Sequence, residues 1–94
     1  MVRLLTEIQA QPGYQEQLKE LLINLLEPVR QKQGCCQYEL YYEMGSKGLF
    51  VIEEIWCSEK SLDQHRASQQ IQEFAQKSKN LVEFIRHRSL DFIG

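Results

Sequence analysis

Glu54, Trp56 and His65 are the residues whose types and spacing could do chemistry. In an extended strand, residues two apart share a face, so Glu54 and Trp56 point the same way. His65 follows Trp56 by nine residues, on a helix that starts directly after the strand. Leu62 lies one helical turn before His65 and can pack inward, with the imidazole nearby. A carboxylate, an indole and an imidazole could then face one hollow between sheet and helices. Such a site would offer a flat aromatic wall with a proton acceptor at its edge. Residue types alone favour a structural role, with Trp56 in the core, Glu54 hydrogen-bonded inside and His65 on the helix surface. Tyr38, Tyr41 and Tyr42 could present hydroxyls to a pocket, or be ordinary strand aromatics. Arg86 and Arg88 share a face of the last strand, with His87 opposite. They suit an anionic group or surface ion pairs.

These residues must be held by a small scaffold. The chain has 94 residues, 43% apolar and 26% charged, which is one soluble domain covering residues 1–94. Alternation predicts strands at 2–11, 35–44, 49–57 and 82–93. An apolar stripe through Leu18, Leu21, Leu22, Leu25 and Val29 predicts a helix over 14–33, kinked at Pro28 and stopped at Gly34. Ser58 and Ser68 read as N-caps of helices over 59–67 and 69–81. The β-α-β-β-α-β order predicts an α+β, ferredoxin-like split β-α-β sandwich, with a four-stranded antiparallel sheet and helices on one face. Both faces of strand 49–57 are largely apolar. A second copy of the sheet is the simplest cover for the uncovered side, so a homodimer is expected.

Several classes are disfavoured. The net charge is −2, so no global positive field gathers nucleic acid. Lys47 to Ile52 partly mimics an RNA-binding strand, but Glu54 intrudes and strand one offers no aromatic for base stacking. No apolar run approaches the ~20 residues of a membrane span and no leader-like layout opens the chain, so a cytoplasmic location without membrane partners is expected. Cys35, Cys36 and Cys57 make neither a C-x-x-C pair nor an evident disulfide, and free thiols are expected. No spacing matches a metal site, a phosphate loop or a nucleophile elbow.

Taken in order, these pieces carry a resemblance. Pro12-Gly13 follows strand one, and Gly34-Cys35 leads into Tyr38-Glu39-Leu40-Tyr41. Glu54-Ile55-Trp56 then precedes Leu62 and His65, with Ser68 and Phe74 beyond. The chain resembles the antibiotic-biosynthesis-monooxygenase domain family of the dimeric α+β barrel superfamily, closest to its quinol-monooxygenase-like members. The resemblance implies a homodimer whose sheets pack as a barrel, with one pocket per subunit. It implies oxidation of quinol-like or phenolic aromatic small molecules by O₂, with no metal, flavin or other cofactor. On it, His65 is the base or proton shuttle, Trp56 the stacking wall, Glu54 the orienting partner and Tyr38 a donor to the developing oxyanion. The chain departs from many members in having Gln69-Gln70 where a Pro-His pair is common. Haem-degrading relatives use an Asn in strand one and a His on the last helix; here Thr6 or Glu7 and Gln76 stand there, so haem ligation is not expected. Two further activities fit the superfamily: a non-enzymatic small-molecule-binding or regulatory homodimer, and an isomerase of a small oxo-compound.

Overall fold

The computed structural model describes residues 1–94. Four strands and three helices follow in the order β1 (Val2–Ala10), α1 (Gln15–Arg30), β2 (Cys35–Tyr42), β3 (Leu49–Trp56), α2 (Glu59–Arg66), α3 (Gln69–Ser78) and β4 (Val82–Leu90). The strands form one sheet in the order β2-β3-β1-β4, with every neighbouring pair antiparallel. The extents of 36 × 33 × 19 Å match two layers, a sheet and its helices.

Alternation decides which side is inside. Leu4, Thr6, Ile8 and Ala10 of β1 are buried beneath the helices, and so are Phe50, Ile52, Glu54 and Trp56 of β3. Leu18, Leu22 and Val29 close the core from α1, Leu62 from α2 and Phe74 from α3. Phe50 is thus core, and the RNA-strand mimicry leads to no exposed stacking platform. Truncating a core residue such as Leu22 to Ala would cost about 2–5 kcal/mol. The opposite face carries half-buried Leu5, Val51 and Ile55, with exposed Tyr41, Phe84 and Leu90.

Local chemistry sets the boundaries. The Ser58 and Ser68 hydroxyls accept from the backbone N–H of Ser61 and Ile71, capping α2 and α3. Helix α1 ends at Arg30 rather than at 33, so Pro28 sits in its final turn, where its missing N–H leaves the Asn24 carbonyl without its usual helical donor. Strand β4 stops at Leu90, short of the expected 93. In β2 the register shifts between Cys35 and Gln37: Cys35 pairs with Trp56 and Gln37 with Ile55, leaving Cys36 without a counterpart. This bulge brings Tyr38, opposite Glu54, to the helix-covered side.

Candidate functional site

The helices roof the β2 and β3 half of the sheet more completely than the β1 and β4 half. Helix α1 packs against β2, whereas β4 is exposed from Glu83 onward. Between sheet and helices lies a cavity of about 500 Å³, opening beside β4. Its walls are mostly apolar, with Leu4, Ile8, Leu22, Leu62, Ile71 and Phe74 among them. Its polar groups are few: Thr6, Tyr38, Glu54, His65, Arg66 and His87. A mainly apolar hollow of this size with a handful of polar groups suits a small organic molecule.

A hydrogen-bonded row runs across the cavity floor. The Trp56 indole Nε1–H donates to Glu54 Oε1 at 3.0 Å. The Thr6 hydroxyl donates to Glu54 Oε2 at 2.9 Å and lies 3.0 Å from His87 Nδ1. Strand register builds this row: Thr6 faces His87 across β1 and β4, while Leu4 faces Glu54 across β1 and β3. Thr6 is therefore diagonal to Glu54, within side-chain reach. Glu54 is only 5% exposed, and both its oxygens have a donor. A buried carboxylate is tolerable on those terms.

His65 occupies the last turn of α2 and is 6% exposed. Its ring stacks on Trp56 with centroids 4.6 Å apart and meets the Tyr38 ring edge-on at 5.8 Å. The Lys32 ammonium lies 2.9 Å from His65 Nδ1 and 2.8 Å from Ser68 Oγ. An ammonium can only donate, so Nδ1 accepts and the ring proton sits on Nε2. Burial, reinforced by the Lys32 and Arg66 charges, pushes the His65 pKa down to about 4. The imidazole is therefore neutral at pH 7 and holds an N–H donor at Nε2. Burial also lowers the Lys32 pKa. Burial raises the Tyr38 phenol well above its ordinary value, and the Glu54 charge adds to this, so its hydroxyl keeps its proton.

The sequence-derived candidates separate here. Tyr38, Glu54 and His65 line the same cavity. Trp56 does not: it is 0% exposed and lies behind the wall, touching the cavity only through His65 and Glu54. The expected flat indole wall is thus a second layer, because stacked His65 stands in front of it. Tyr42, the last residue of β2, ties down the β2–β3 turn, its hydroxyl accepting from Gly48 N–H and donating to the Ser46 carbonyl. Arg88 pairs with Glu7 at 2.7 Å on the opposite face of the sheet. The cysteines are free thiols, with Cys35 half-buried and Cys36 and Cys57 exposed. No group of three His, Cys, Asp or Glu side chains is placed to hold a metal ion. Thr6, His87 and Lys32 were not singled out for the site. The alternation that sends Arg86 and Arg88 outward does send His87 inward, whereas nothing in the spacing points to Lys32.

Comparison with known proteins agrees with this architecture. The family model described as antibiotic biosynthesis monooxygenase matches residues 1–77. A Bacillus subtilis protein named as a candidate monooxygenase, YcnE, is 28% identical over 82 residues, covering 87% of this chain and 86% of its own. An uncharacterized Synechocystis protein, sll1783, is 29% identical over 75 residues, or 80% of this chain; the matched region spans about half (51%) of that relative's length. The crystal structure of PA3566 from Pseudomonas aeruginosa superposes with a TM-score of 0.94 at 27% identity, covering 99% of this chain and 94% of that one. No helix is long and apolar enough to cross a membrane. With more than three quarters of its length inside the family match, the chain belongs to the antibiotic biosynthesis monooxygenase family.

Proposed function

We propose that this protein oxidises electron-rich hydroxylated aromatics, such as quinol-like phenols and naphthols, with O₂ and without a metal or flavin. The observation that carries the reading is the apolar cavity of about 500 Å³ with its polar groups gathered around Tyr38, His65 and Glu54. The family membership and the naming of YcnE as a candidate monooxygenase support it.

The chemistry balances for a naphthol with hydrogen at the carbon para to its hydroxyl. Loss of the hydroxyl proton gives an anion, which passes one electron to O₂. The ring radical and superoxide join at the para carbon. The peroxide takes up a proton, the carbon loses its hydrogen, and water leaves to give a quinone. One naphthol and one O₂ become one naphthoquinone and one water. The apolar walls exclude water from the radical pair. The Tyr38 hydroxyl and the His65 Nε2–H stabilise the oxyanion as donors, and Trp56 holds the His65 plane from behind. His65 in this scheme is a neutral donor instead of the proton acceptor expected from sequence, because Lys32 occupies its Nδ1. That occupied nitrogen also favours a second reading, a binding protein with no turnover.

O₂ uptake with a panel of hydroquinones and naphthols tests the first reading, comparing wild type with His65→Ala. Uptake that depends on His65 supports it. No uptake above the uncatalysed rate for any of them removes it. Ligand-induced thermal stabilisation without uptake supports the binding reading. We further propose a homodimer formed through the outer sheet face, where Leu5, Val51, Ile55, Tyr41 and Phe84 lie without cover. Sedimentation equilibrium at a mass near 11 kDa would contradict the dimer.

A further inference from the structure

The cavity holds two histidines whose free nitrogens are opposite in kind. His65 uses Nδ1 to accept from Lys32, so its Nε2 carries the hydrogen. At His87 the direction runs the other way. With Glu54 ionised, its carboxylate can only accept, so the one hydroxyl proton of Thr6 is committed to Oε2. The 3.0 Å contact between Thr6 Oγ1 and His87 Nδ1 must then be donated by the imidazole. His87 carries its proton on Nδ1, and its Nε2 lone pair has no partner in the protein. From these two contacts we infer that His87 accepts the proton of a ligand hydroxyl, while His65 and Tyr38 donate to the same oxygen. The site is thereby selective for an aromatic alcohol.

The selection follows from counting donors and acceptors. A hydroxyl oxygen gives one hydrogen and accepts others, which matches one acceptor and two donors. A ketone or methyl ether has no hydrogen to give and leaves His87 Nε2 unmatched. When the ligand ionises, its O–H bond breaks and the electron pair stays on oxygen. The proton moves to His87 Nε2, forming an imidazolium. Its Nδ1–H still donates to Thr6, and Thr6 still donates to the Glu54 carboxylate. Nothing is oxidised or reduced in this step. Thr6 and Glu54 are positioning residues: they fix the tautomer and hold a negative charge behind the imidazolium, much as an acid group orients a catalytic histidine elsewhere. Arg66, the other charged group on the cavity wall, favours the phenolate. This inference rests on the functional reading above only in taking a hydroxylated aromatic as the ligand.

Long-range proton–nitrogen NMR on the ¹⁵N-labelled full chain at pH 7.5 tests the geometry without any ligand. The expected spectrum shows His65 protonated at Nε2 and His87 at Nδ1. Thr6→Val releases the His87 tautomer, Thr6→Ser restores it, and neither moves His65. A wild-type His87 protonated at Nε2 overturns the inference. The second measurement is anaerobic binding of 2-naphthol against its methyl ether, with naphtholate fluorescence reporting ionisation. Wild type should bind the naphthol at least tenfold tighter and ionise it. His87→Leu, at an exposed position, should lose both effects, whereas His87→Gln keeps an amide acceptor that cannot hold the proton and should lose the ionisation. Equal binding of the two ligands, or no binding of either, overturns the inference. Ionised, tightly bound 2-naphthol, with no O₂ uptake from 1-naphthol or any hydroquinone, refutes the oxidation and leaves the inference standing. O₂ uptake whose kcat/KM is unchanged in His87→Gln does the reverse.

Discussion

Replacing Lys32 with Met removes the cation bound to His65 Nδ1, and the consequence can be followed through acid stability. Burial and charge give His65 a pKa of about 4 in the folded chain against 6.5 when unfolded. The folded form therefore binds fewer protons between those values. The associated stability is fully present above pH 6.5 and is lost as pH falls toward 4. Integrating the linkage for these two pKa values gives a loss of about 2 kcal/mol between pH 7.5 and pH 5, and about 3 kcal/mol once both states are protonated. For a domain of this size, 2 kcal/mol is a drop of roughly 10 °C in Tm. In Lys32→Met the pKa of His65 should rise yet stay below 6.5, because burial is the larger cause and remains. Each unit recovered returns about 1.4 kcal/mol of the acid loss. The variant should be less stable at pH 7.5 by about 1–3 kcal/mol, having lost its bonds to His65 and Ser68. Its further decline to pH 5 should nonetheless be shallower than that of wild type. Urea denaturation at both pH values measures the difference. His65→Gln supplies the reference in which this contribution is absent, so carboxylate titrations common to all three proteins cancel. NMR titration of the His65 ring near pH 6.5 in wild type, or equal acid losses in wild type and Lys32→Met, would refute the reasoning.

Other substitutions probe the rest of the site. Trp56→Phe removes the donor to Glu54 Oε1 and should destabilise by about 1–3 kcal/mol in urea denaturation, because a buried carboxylate oxygen loses its partner. Gly34→Ala should cost more than about 1 kcal/mol in the same assay: φ is +87°, and a Cβ would overlap the Ser61 side chain and approach Cys57 Sγ at 3.0 Å. Ile71→Trp places an indole in the cavity from α3, and should abolish thermal stabilisation by 2-naphthol while the protein stays folded by circular dichroism.

Much of the scaffold was legible because its signals are local. Alternation in β1 and β3 sorts the two faces of the sheet, and Ser58 and Ser68 mark where α2 and α3 begin. The meeting of Glu54 with His65 follows from a strand face leading into a helix, and both do line the cavity. Trp56 was misplaced as a wall because face sharing says nothing of depth: the indole lies deepest, with His65 stacked over it. The Thr6–His87 contact spans 81 positions and exists only through the register of β1 against β4. Lys32 reaches His65 from the turn after α1, across 33 positions, with no periodicity to announce it. Side chains that set tautomers and charge are thus the ones least visible in one dimension.

The unpaired Cys36 gives the site an unusual kind of dependence. Everything downstream of it in β2 is in phase with the cavity because one residue was skipped in the count. Swapping the thiol for another small side chain should therefore matter little, whereas an unbulged ladder that paired Cys36 with Ile55 would turn Tyr38 to the far side of the sheet and bring Gln37 round in its place. The segment stores its information as arithmetic, an odd number where a plain ladder would have an even one. Loop grafting between Gly34 and Tyr38 must keep Tyr38 opposite Glu54 before any side chain is chosen.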